Sequence, residues 1–107
     1  MVGDTTSGDR IEKSFRGISQ RLAVHYLRNL GGHPVVDGEP QDPDSDVESE
    51  GVDTVVGEGW TAELSNRKVN PAGSIMLTEV SVIFTGEPQI LSELVEKFSR
   101  KAMRAGG

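Results

Sequence analysis

The sequence predicts an α+β domain: one antiparallel sheet with two helices packed on a single face, in the order strand, helix, three to four strands, helix. Three observations predict it. Residues 88–105 carry Leu91, Leu94, Val95, Phe98 and Ala102 at the spacing of one helix face. Residues 74–85 place Met76, Val80, Val82 and Phe84 at alternate positions, with Thr78 the one polar member, which is the period of a strand. Residues 20–30 repeat the helical stripe with Leu22, Ala23, Tyr26, Leu27 and Leu30. Short connections then leave one sheet with both helices on the same side as the economical arrangement.

Taken in order, residues 1–10 have no apolar pattern and are expected to be disordered, leaving 11–107 as a single domain. Ile11, Lys13 and Phe15 alternate with Glu12, Ser14 and Arg16, a strand. Ser19 suits the N-cap of the first helix, and Gly31-Gly32 supplies its left-handed stop. Arg21, His25, Arg28 and Asn29 fall mostly on the other side of that helix, so Arg21 and Arg28 are expected on a solvated face. His33-Pro34-Val35-Val36 opens a strand, and residues 54–64 resume the sheet with Trp60, Ala62 and Leu64 on one side. Residues 65–68 begin with turn chemistry, and Asn70-Pro71-Ala72-Gly73 is a break. Pro88 fits the first turn of the last helix, along which Glu93 and Glu96 precede Lys97, Arg100, Lys101 and Arg104, complementing its dipole.

The formal net charge of −6 is concentrated in one place. Residues 37–53 hold eight acids and no base, so the rest of the chain stands at +2. With Val47 and Val52 as its apolar residues, this insert is expected to be a flexible loop that cannot bury enough to offset its ordering entropy. Asp42, Asp44, Asp46, Glu48, Glu50 and Asp53 copy the ligand spacing of a calcium-binding loop. The sixth position, however, is Val47 rather than the turn glycine, and the twelfth is Asp53 rather than Glu, so no metal is expected. Acid richness, together with seven Arg against four Lys, points to a halophilic source.

With no Cys, disulfides, thiolate metal sites and thiol nucleophiles are excluded. The N-terminal residues do not read as a signal peptide, and no window approaches the roughly 20 apolar residues of a bilayer span, so a cytoplasmic protein is expected. His25 and His33 lie about two helical turns apart and do not suit one metal. Gly57-Glu58-Gly59 is followed by a strand rather than a helix, so it is no phosphate loop. Glu58 and Glu63 are carboxylates without a supporting constellation. No catalytic residue and no cofactor are expected.

The chain ends Gly106-Gly107, the signature of ubiquitin-like modifiers and sulfur carriers, whose terminal carboxylate is adenylated. Such tails follow a strand on a mobile extension. Here the pair follows a helix, which reads as a helix stop.

Residues 14–19 (Ser-Phe-Arg-Gly-Ile-Ser) leading into a helix, the Trp60 strand, the Thr78-Glu79-Val80 strand and the terminal helix resemble one small family. It is the C-terminal domain of proteins related to MoaD, the small sulfur-carrier subunit of molybdopterin synthase, found alone as short archaeal proteins. The resemblance covers residues 11–107 apart from the acidic insert. It implies a curved antiparallel sheet of the TATA-binding-protein type and carries no catalytic residue to this chain. The sulfur-carrier domain itself has no counterpart here, so a link to molybdenum-cofactor synthesis is one of domain company.

Three functions follow as expectations. The first is a non-catalytic accessory domain docking an unknown protein partner through Glu79 on the open sheet face or Arg100 and Arg104 on the last helix, with a homodimer through sheet face or edge strands. The second is a modifier or sulfur carrier acting through Gly106 and Gly107. The third is nucleic-acid binding by Arg16, Arg21, Arg28, Arg67 and Lys68. It is the weakest, because sheet readers of single strands use exposed aromatics and the acidic insert repels phosphate.

Overall fold

The computed structural model describes residues 9–73 and 75–106. Among these residues six strands and two helices follow in the order β1 (Asp9–Arg16), α1 (Gln20–Asn29), β2 (His33–Val36), β3 (Glu39–Pro40), β4 (Thr54–Gly57), β5 (Trp60–Ala72), β6 (Ile75–Gly86) and α2 (Pro88–Gly106). The strands form one open sheet ordered β1-β6-β5-β4-β2-β3, with every pair antiparallel. The α+β expectation is met, with five strands between the helices rather than three or four.

The additional strands arise at two turns. Asp37 and Gly38 both adopt positive φ (54° and 82°), the backbone of a two-residue hairpin, and fold β3 back on β2 so that Val36 faces Glu39. Glu58-Gly59 then divides the single strand expected over 54–64 into β4 and β5, pairing Gly57 with Trp60. Residues 65–68 are not a turn. They continue β5, because Ser65, Asn66, Arg67 and Lys68 each find a partner on β6. Asp9 and Arg10 belong to β1 and not to a disordered segment; residues 1–8 lie outside the described residues.

Helix α1 begins as its sequence predicts. The Ser19 hydroxyl accepts the Leu22 N–H at 3.0 Å. At the other end Gly31 takes φ +94°, and the N–H groups of Gly31 and Gly32 bond the carbonyls of Arg28 and Leu27, satisfying the last turn. Helix α2 starts with Pro88, whose missing N–H costs nothing there, and the Leu91 N–H reaches the Glu87 carbonyl at 2.8 Å.

One core unites both helices with one sheet face. Val80, Val82 and Phe84 of β6 and Ala62 and Leu64 of β5 are buried against Ala23, Val24 and Leu27 of α1 and Leu91, Leu94 and Phe98 of α2. Phe98 is its hub: its ring stands edge-on to Phe15, Phe84 and Tyr26 at centroid distances of 5.2, 5.6 and 6.3 Å. Such contacts add to the hydrophobic gain of burying each ring.

The acidic segment 37–53 has a definite course. Val52 and Ser49 are buried, and the ordering groups come from α1. Gln20 donates to the Val52 carbonyl at 2.7 Å. Arg28 spreads its guanidinium over the carbonyls of Pro43, Ser45 and Val47 and the Ser49 hydroxyl, at 2.7 to 3.1 Å. Arg28 is therefore not the solvated residue expected of its helix face, whereas Arg21 is exposed.

Candidate functional site on the open sheet face

Both helices cover the sheet face that carries Val80, Val82 and Phe84. By strand alternation the other face presents Glu79, Ser81, Ile83 and Thr85 of β6. Register then sets the neighbours on either side. Glu79 stands between Arg16 of β1 and Arg67 of β5, Ser81 between Ser14 and Ser65, and Ile83 between Glu12 and Glu63. The open face is thus written in rows: basic flanks at one end, a serine row, then acidic flanks around a half-buried Ile83.

The first row is locked. Arg67 donates to Glu79 Oε1 at 2.9 Å and Arg16 Nε to Oε2 at 3.4 Å, so each carboxylate oxygen has its own guanidinium. Glu79 is only 8% exposed although it sits on the uncovered face, because the two arginine side chains wall it in laterally. They remain 52% and 74% exposed themselves. The Arg67 hydrogen bond holds the Glu79 carboxyl below its ordinary range. Desolvation opposes this, and the Arg16 hydrogen bond and the two positive charges reinforce it. Ser14 and Ser81 hydroxyls lie 3.1 Å apart in the next row.

The residues expected to bind are not one site. Glu79 projects from the open face, but shielded rather than free. Arg100 and Arg104 are exposed on α2, which packs on the opposite side of the sheet, and Arg100 pairs with Glu96 at 2.7 Å. α2 runs as helix into Gly106, and Gly107 lies outside the described residues.

Of the five basic residues offered for nucleic acid, Arg16 and Arg67 are held by Glu79 and Arg28 by the acidic loop. The five aromatic residues are all in or against the core, so none forms a stacking platform on the open face. His33 Nδ1 faces the Gln41 carbonyl at 3.1 Å, and His25 is exposed on α1. Among the described residues no three His, Asp or Glu side chains converge as a metal cluster, the loop acids included. Among them too, no helix is long and apolar enough to cross a membrane.

Residue type alone did not reveal the Arg16–Glu79–Arg67 row, because it exists only through the β1–β6–β5 register. The alternation that puts Arg16 and Arg67 on the side opposite Phe15 and Leu64 was the available signal.

No curated protein matches this chain. The family model described as Archaeal MoaD-like protein matches residues 11–107, from the third residue of β1 through α2. Nearly the whole folded unit is included, acidic loop and open face alike, and the chain belongs to the archaeal MoaD-like protein family.

Proposed function

We propose that this chain is a non-catalytic binding domain that docks a protein partner on its open sheet face, in molybdenum-cofactor or sulfur-transfer metabolism. The observation that carries the reading is the row pattern of that face. Its ionisable groups at one end are already paired in a fixed geometry, at Arg16, Glu79 and Arg67, so a partner meets a preorganised surface and little ordering cost is left at docking. The opposite end offers Glu12 and Glu63 around Ile83, an apolar centre with acidic flanks suited to a basic, partly apolar segment. Family membership supports the metabolic setting by its name alone. The TATA-binding-protein type of sheet belongs to the same reading.

The test uses the chain as bait with purified molybdopterin synthase large subunit and with adenylating enzymes of sulfur carriers. The reading expects a defined complex that is lost on Glu12→Lys with Glu63→Lys and kept on Arg100→Glu. A complex that follows Arg100 instead moves the docking site to α2 and sinks the open-face reading.

Gly106 and Gly107, in a family named for MoaD, support a second reading, a carrier activated at its C-terminus. It requires the end of α2 to unwind, since an adenylating site must admit an extended tail. Backbone relaxation over residues 103–107 distinguishes the two: rigid values up to residue 105 reject the carrier, whereas fast motion from about residue 99, with adenylate forming in the presence of ATP, supports it.

A further inference from the structure

The β5–β6 hairpin outruns the sheet. β1 accompanies β6 only as far as Glu79, and β4 accompanies β5 only as far as Glu63. Beyond the Arg67–Glu79 pair, Lys68 faces Thr78 and Val69 faces Leu77 with no third strand beside them among the described residues. A two-stranded ribbon is marginal in water. This one also carries the exposed apolar side chains Ile75 (54%) and Met76 (56%) near its tip. Its residues 66–78 contain Arg67 and Lys68 and no acid.

A complementary surface lies on the same chain. The acidic loop and the end of β2 enclose an open cleft of about 420 Å³ lined by Val35, Val36, Val47 and Val52 together with Asp37, Glu48, Glu50 and Asp53. A tip with exposed apolar and basic side chains and a cleft lined by valines and acids are complementary in charge and share apolar surface. The continuous β5–β6 ladder holds the arm as a ribbon, so its tip is offered to a second molecule rather than folded back on its own loop. The two surfaces nevertheless sit at one end of the molecule. A groove between them has Glu50 and Gly51 of the loop on one wall and Asn66 and Thr78 of the arm base on the other, closed below by Gln20 and Arg21. A two-fold axis near that groove would bring each arm to the other copy's loop, and an isologous arrangement of this kind closes on itself.

We propose that the arm docks in the acidic cleft of a second copy of this chain, reciprocally, giving a two-fold dimer. Met76 enters the valine-lined cleft, and Lys68, on the same face of the arm, meets Glu48 and Glu50 of the other copy. The proposal does not rest on the open-face reading, and rejection of either leaves the other standing.

Sedimentation velocity on the full chain, at concentrations up to about 200 μM in low and in about 1 M salt, tests it. A dimer in low salt is expected, weakened by high salt, and weakened at least about tenfold by Met76→Asp or by Lys68→Glu. Glu50→Lys weakens it similarly, and Lys68→Glu combined with Glu50→Lys in one chain recovers it. These positions are exposed, and circular dichroism on each variant reports the retained fold. A chain that stays monomeric in low salt overturns the proposal. So does a dimer indifferent to Met76, Lys68 and Glu50, which then associates through another surface.

Discussion

Arg28 Nη1 donates to the carbonyl of Val47 at 2.7 Å, across 19 residues of sequence, and this bond is the centre of the acidic loop's construction. The same guanidinium reaches Pro43, Ser45 and Ser49, so a segment with eight acids is shaped by one cation addressing mainly its backbone. Arg28→Ala is expected to lower stability by about 1.5–3 kcal/mol, the range for losing hydrogen bonds to a charged group, and to raise amide exchange over residues 44–49. Arg28→Lys should recover only part of both, because an ammonium cannot present the planar fork. Unchanged exchange in the Ala variant would show that the loop holds its course without Arg28.

Glu79 predicts a pH dependence with a definite sign. Its folded pKa lies below the ordinary range of a glutamate, first because of the Arg67 hydrogen bond. A depressed carboxylate contributes stability that is present above the unfolded pKa and lost as pH falls through the folded one. Glu79→Gln should therefore melt below the wild type at pH 7, and the gap should close as pH drops below about 4.5. A gap that persists at pH 2 would assign the effect to shape rather than charge.

Gly86 tests the β6–α2 corner. It holds φ +154°, and a Cβ there would meet the Gly59 carbonyl oxygen and lie 2.9 Å from the Trp60 Cα, both backbone atoms that cannot swing aside. Gly86→Ala should cost about 1–3 kcal/mol from the backbone conformation alone, with any clash in addition. Chemical denaturation followed by the fluorescence of Trp60, the one tryptophan, reads it directly.

Phe98 should be the most sensitive aromatic. It is fully buried and meets three other rings, so Phe98→Ala is expected to cost about 3–5 kcal/mol. Met103→Ala, at 72% exposure on the same helix, should stay within about 0.5 kcal/mol.

The elements most legible in the sequence were those whose side chains announce a face. Val80, Val82 and Phe84 declare a strand, Leu91 to Ala102 a helix, and Ser19 and Gly31 the ends of α1, because local spacing or local caps create each of them. Asp37-Gly38 carries a strong hairpin signal too, overshadowed in a sequence reading by the acids around it. Residues 65–68 look like a turn and are strand because β6 supplies partners, a case of tertiary pairing overriding local preference. The candidate site was harder still. Arg28 binds carbonyls, which every residue type possesses and no sequence pattern marks. Arg16, Glu79 and Arg67 meet only when strands 63 and 12 residues apart align, and that alignment is a property of the sheet.

The strand order has a consequence for how the chain is assembled. Of the described strands β1 is made first, yet its one neighbour among them is β6, the last made. Ser14 waits 67 residues for Ser81. During synthesis the β4–β5–β6 meander can zip from local turns, while the N-terminal strand has nothing to join until the far end of the chain has emerged. Phe15 and Ile11 stay in water for that interval, and any nascent chain that stops short of Val80 leaves them there.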